Sequence, residues 1–145
     1  MLVWQAMKAS SLYRIASILL LLFAIGHTWG FRQIDPRWGI NPMIKSMQSV
    51  HFKANGFDRT YWDFYVGFGL FVTILMLFAS VVAWQLAGLS AQTLAMMRST
   101  AWGFILCFAV VALLSWRYFF LIPLIFSLVI LACLTLAAWL SGNPE

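Results

Sequence analysis

The side chains best placed to do chemistry in this 145-residue chain are Asp63, Arg117, His27 and His51. A histidine beside a carboxylate can move protons, and an arginine can hold an anionic head group. Gly67 follows Asp63 by one helical turn on the same face, so an acid stands above a gap in side-chain volume. Thr60 precedes Asp63 at capping-box spacing, which also makes Asp63 a helix cap and a complement to the positive helix end. The two roles are compatible. His27, between Gly26 and Thr28, lies just inside the end of an apolar run. An ionisable ring at that depth is a functional candidate, or else a donor to a backbone carbonyl or to Asp63. Arg117, in Ser115-Trp116-Arg117-Tyr118, reaches back to Asp58 or Asp63, or anchors on a lipid phosphate. The candidate ligand-binding set is therefore His27, His51, Asp63, Gly67 and Arg117, with His27 and Asp63 the candidates for catalysis. We expect Asp63, Arg117 and one histidine to converge.

Other chemistries fit less well. His27 and His51 do not suit haem, because bis-histidine membrane sites place both ligands within spans and His51 lies in a loop. No HExxH or similar ligand spacing occurs. Cys107 and Cys133 sit near the middle of apolar runs, where a thiol is unreactive, and no CxxC exists. The methionines look like packing residues. Asp35 with Arg37 and Asp58 with Arg59 read as local loop pairs worth little in water. No cofactor and no metal are expected.

The elements that must position these residues are four long apolar helices. The chain is 63% hydrophobic and 9% charged, outside the range of ordinary soluble domains. Apolar runs predict spans near residues 12–31, 61–86, 94–116 and 121–140, each close to the roughly 20 residues that cross a hydrocarbon core. Trp29, Trp62, Trp84, Trp102, Trp116 and Trp139 fall at span ends, where amphipathic rings prefer the headgroup zone. Span 1 carries Lys8, Arg14 and a small-x-small Ala24-Ile25-Gly26, like a secretory signal; we read it as a retained span with Arg14 snorkelling. Span order puts Arg32, Arg37, Lys45, Lys53, Arg59 and Arg117 on one side, and Lys8, Arg14 and Arg98 on the other. By the positive-inside tendency the first side is cytoplasmic, with both termini outside. The net charge of +5 is spread over loops and span ends, which suits membrane lipid and not nucleic acid.

The only long connection lies between spans 1 and 2. Asn41-Pro42 reads as a helix start and Asn55-Gly56 as a helix stop. Met43, Met47, Val50 and Ala54 recur at helical spacing, predicting an amphipathic helix near 42–54 across the membrane surface. Ser90 is a candidate cap for span 3, Pro123 fits the first turn of span 4, and Ser141-Gly142-Asn143-Pro144 ends the bundle. The expected fold is all-α, a single integral membrane four-helix bundle with an amphipathic helix in the first loop.

The stretches Asn55-Gly56-Phe57-Asp58-Arg59-Thr60-Tyr61-Trp62-Asp63-Phe64-Tyr65-Val66-Gly67-Phe68-Gly69 and Leu114-Ser115-Trp116-Arg117-Tyr118-Phe119-Phe120 resemble a family of small bacterial four-span proteins. That resemblance implies the fold and a bacterial inner-membrane setting, and carries no activity. In architecture alone the layout is also similar to DoxX-like proteins and to the EXPERA domain of sterol isomerases and sterol-binding receptors. Those use a buried histidine and acids within the bundle on an apolar ligand, whereas His27 and Asp63 stand at one end of their spans. Three function classes follow. One is a site for an apolar small-molecule ligand with a polar head, such as a lipid, quinone or terpenoid, with acid–base catalysis by His27 and Asp63 conceivable. Another is a structural or accessory subunit, as a homo-oligomer or within a larger membrane complex. A small transporter fits least, because no span interior contains an acid.

Overall fold

A computed structural model describes residues 2–141, with side chains from residue 8 onward. The expected end of the bundle at Gly142-Asn143-Pro144 lies outside the described residues. In chain order the elements are α1 (Leu2–Gly30), a 3₁₀ turn (Pro36–Trp38), α2 (Asn41–Ser49), β1 (His51–Ala54), β2 (Phe57–Thr60), α3 (Tyr61–Ala87), α4 (Ala91–Met96), α5 (Arg98–Tyr118) and α6 (Leu121–Ser141). Four of these helices contain stretches long and apolar enough to cross a membrane: Lys8–Gly30, Tyr61–Ala87, Arg98–Tyr118 and Leu121–Ser141. The protein is an all-α, multi-pass integral membrane protein.

Local sequence explains most helix ends. Thr60 and Asp63 form a reciprocal capping box: the Thr60 N–H donates to Asp63 Oδ2 at 2.8 Å, and the Asp63 N–H donates to Thr60 Oγ1 at 3.2 Å. Ser90 Oγ accepts from the Thr93 N–H at 3.2 Å and starts α4. That helix stops after one and a half turns, because Met97 (φ −90°, ψ 19°) leaves helical geometry before α5 begins at Arg98. Span 3 thus starts four residues later than the expected 94. Between α5 and α6 the chain reverses at Phe119, which is extended, and Pro123 falls in the first turn of α6 as expected.

The first loop departs from expectation. Helix α2 covers Asn41–Ser49 only, its N-cap is Ile40 with no side-chain hydrogen bond, and Val50 turns extended (φ −84°, ψ 109°). Residues 51–54, expected to continue the helix, pair antiparallel with residues 57–60 in the register His51↔Thr60, Phe52↔Arg59, Lys53↔Asp58 and Ala54↔Phe57. Asn55 and Gly56 both have positive φ, 51° and 87°, the geometry of a two-residue type I′ turn. Asn-Gly therefore closes a hairpin here instead of stopping a helix. Met43 and Val50, expected to face the bundle mouth or the lipid interface, are mostly exposed, while Ile44 and Met47 are half-buried.

The chain divides into two compact units, Met1–Phe23 with Met76–Glu145, and Ala24–Leu75. The first unit holds a core of Tyr13, Leu20, Leu86, Ile105, Ile130 and Leu134, interleaved with buried Ala16, Ala83, Ala101 and Ala137. Alanines at such positions let helix backbones approach closely, which drives association in lipid, where burial of apolar surface gains nothing. Ser17 and Ser80 clasp one another within it. Ser17 Oγ donates to the Ser80 carbonyl and Ser80 Oγ to the Ser17 carbonyl, each at 2.8 Å. One helical interval away, Ser10 Oγ donates to the Ala87 carbonyl. Ser127, fully buried, donates to the Pro123 carbonyl at 2.7 Å and lies 3.4 Å from Ser115 Oγ. Every hydroxyl in these pairs finds an acceptor, as a low-dielectric interior demands.

Candidate functional site

The second unit, Ala24–Leu75, contains both histidines and all three aspartates. Its helical part brings the last turns of α1 against the first half of α3 through one small residue. A Cβ built on Gly69 would fall 2.5 Å from Cε2 of Phe31, so only glycine admits that ring. Phe31 in turn stacks on the imidazole of His27 (centroids 5.2 Å, planes 25° apart) and meets the Tyr65 ring edge-on at 5.9 Å. The Tyr65 hydroxyl donates to the Phe31 carbonyl, and Trp62 stacks on Tyr65 at 5.3 Å.

His27 is half-buried, with Nε2 3.1 Å from the Gly69 carbonyl oxygen. A carbonyl only accepts, so Nε2 carries the hydrogen. In the neutral ring Nδ1 is then an acceptor, and among the described residues nothing donates to it. Thr73 Oγ1 also approaches the Gly69 carbonyl at 3.2 Å, and lies 2.9 Å from Thr28 Oγ1, which donates to the Ala24 carbonyl at 2.7 Å. The result is a polar knot of His27, Thr28 and Thr73 around one backbone carbonyl, roofed by Phe31 and Tyr65.

Outside the helices the ionisable residues pair locally. His51 Nδ1 lies 2.9 Å from Asp58 Oδ1 across the hairpin, with both side chains exposed. Asp35 receives the Arg37 guanidinium on both carboxylate oxygens, the shortest contact being 2.6 Å, and the Arg37 N–H at 2.9 Å. Those contacts hold the Asp35 carboxyl below the ordinary aspartate range, the Arg37 side chain contributing most. Asp63 is exposed and committed to the Thr60 cap. In the first unit, Arg117 is exposed with its guanidinium carbon 5.3 Å above the Tyr118 ring.

The hydrogen bonds and ring contacts of the sequence-selected residues lead to four different partners: His27 to Gly69, His51 to Asp58, Asp63 to Thr60 and Arg117 to Tyr118. Within the second unit the His51 ring also acts electrostatically on Asp63. Gly67 has open space around it, since a Cβ added there would meet nothing within 4 Å. Gly69 is the glycine that admits a packed ring. Sequence reasoning missed Phe31, Tyr65, Thr28 and Thr73 as well. One available signal was the spacing of small and hydroxyl residues, Ser10-Ser17-Ala24 in α1 and Thr73-Ser80-Ala87 in α3, each seven apart as at a close helix seam.

The chain matches no family model, no curated protein and no solved structure.

Proposed function

We propose that this membrane protein binds an amphiphile with an apolar tail and a polar head, of lipid, quinone or terpenoid type, in a bacterial inner membrane. The head group meets Nδ1 of His27. The observation that supports this reading is the half-buried His27 ring, fixed by Gly69 so that its other nitrogen is left as an acceptor. Hydroxyl or protonated head groups suit that acceptor, and the surrounding Phe31 and Tyr65 rings suit an apolar tail. Asp63 caps α3, and Arg117 is an anchor at the membrane interface apart from this site.

Native mass spectrometry of protein extracted from its membrane tests the proposal. Wild type is expected to retain a lipid-like mass that His27→Phe loses, with both proteins unfolding cooperatively at similar temperature. Asp63→Asn should retain it, since the Asp63 carboxylate bonds Thr60 and makes no hydrogen bond to His27. A ligand retained equally by His27→Phe overturns the assignment. A wild type that carries no amphiphile but migrates with a protein complex favours an accessory subunit instead.

A further inference from the structure

We infer that the β1–β2 hairpin and the loop before it form a docking surface for anionic phospholipid headgroups. Charge accounting within the second unit comes first. Asp35 is paired with Arg37, and Asp58 hydrogen-bonds His51, a contact that leaves the Asp58 charge in place when the ring is neutral. Asp58 stands opposite Lys53 in the strand register, yet its carboxylate lies within ion-pair range of His51 and not of Lys53. Arg32, Lys45, Lys53 and Arg59 are all exposed, and none lies within ion-pair distance of a carboxylate among the described residues, although the Arg59 charge acts on Asp63 at longer range. Two of them lie over aromatic rings, Arg32 over Phe31 at 5.1 Å and Arg59 over Phe57 at 5.2 Å. With Asp35 and Arg37 paired, these four basic side chains outnumber the two remaining acids, Asp58 and Asp63, so the surface is cationic.

Its apolar component points to the same occupant. Trp38, Phe57 and Tyr61 are 61%, 62% and 65% exposed, a costly arrangement in water but the ordinary one at a headgroup boundary. An isolated two-stranded hairpin is marginal in water. Here Phe52 packs on Tyr61 at 5.1 Å and on Phe64 at 5.7 Å, tying the hairpin to the first turn of α3. No linker separates β2 from that span, since Thr60 is followed directly by Tyr61. Counted from Tyr61 at about 3.3 Å per residue, Arg59 stands roughly 7 Å and the Lys53–Asp58 rung roughly 10 Å along the strand. Both distances are on the order of a Debye length of about 8 Å, so headgroup charge reaches them partly screened and the effect depends on salt.

The full chain in nanodiscs of phosphatidylcholine, alone or with phosphatidylglycerol, tests this through amide hydrogen exchange of residues 51–60. Exchange should slow several-fold in the anionic discs, and the difference should shrink as salt rises. Each cation removed should weaken the preference about fivefold, from roughly 1 kcal/mol per basic residue near an anionic surface. Lys53→Gln with Arg59→Gln tests the hairpin itself. Arg32→Gln with Lys45→Gln lies outside the strands, so its loss of preference cannot come from a misfolded hairpin. Equal exchange in both lipids overturns the inference, as does protection that appears only when a partner protein is added. Retention of amphiphile at His27 is a separate measurement, and neither result decides the other.

Discussion

The two units of this protein satisfy their polar groups in opposite ways. In the first, serine hydroxyls make hydrogen bonds between spans, and Ser17 and Ser80 each donate to the other's backbone in a buried clasp. In the second, Thr28 and Thr73 also bond backbone carbonyls, but ionisable and aromatic side chains join them, most of them exposed or half-buried, and His27 keeps one ring nitrogen uncommitted. A serine clasp has used its hydrogen-bonding capacity on holding helices together. A half-committed histidine has capacity left for a ligand. The contrast teaches that polar residues within spans are not equivalent signs of function; what matters is whether the fold has already used them.

The largest expected effect that could break this comparison is at Gly69. Gly69→Ala must displace Phe31, which is held between His27 and Tyr65, and should destabilise by about 1–3 kcal/mol as an overpacked contact does. Gly67→Ala meets nothing and should be neutral or gain up to about 1 kcal/mol from helix propensity. Thermal unfolding in detergent compares the two; equal losses would mean that Gly69 is not the packing point of the second unit.

A smaller effect sharpens the picture of the first unit. Tyr13 is 1% exposed, and its hydroxyl is the one buried side-chain oxygen or nitrogen without a partner among the described residues. Tyr13→Phe removes that unpaired group and should stabilise by about 1–2 kcal/mol. A destabilised Tyr13→Phe protein would show that the hydroxyl has a partner such as an internal water, and that the first unit also reserves a polar group.

The smallest effect concerns the clasp. Ser17→Ala and Ser80→Ala each remove one hydroxyl-to-carbonyl bond and should each cost about 0.6 kcal/mol, the usual worth of a hydrogen bond between membrane helices. Reversible unfolding in mixed micelles would measure both, and no loss in either variant would remove the clasp from the account of what holds α1 to α3.

Much of the architecture was legible from sequence, and so was part of its fine structure. The Thr60/Asp63 box, the Ser90 cap and Pro123 near the start of α6 were each assigned from neighbours within four residues, where local sterics and hydrogen bonding decide the outcome. The loop shows where such reasoning fails. Asn-Gly favours left-handed backbone, which serves both a helix end and a type I′ hairpin turn. The alternation of exposed His51 and Lys53 with half-buried Phe52 and Ala54 competed with a helical pattern through Met47 and Val50. Pairing with residues 57–60 settled the choice in favour of the strand.

The sequence by itself determined that the chain crosses a membrane on four helices, because a hydrophobic length near 20 residues leaves a backbone few alternatives in lipid. It also determined where α3 and α4 begin, because a cap is made by residues three apart. Only the tertiary structure decided which glycine matters, since Gly67 and Gly69 differ solely in whether the Phe31 ring lies against them. It likewise decided which ionisable groups are already satisfied. His27 finds its acceptor 42 residues away in Gly69, while the Asp63 carboxylate finds its donor, the Thr60 N–H, within the capping box. A partner that far along the chain follows from how helices pack, and helix packing is not written in the spacing of either residue alone.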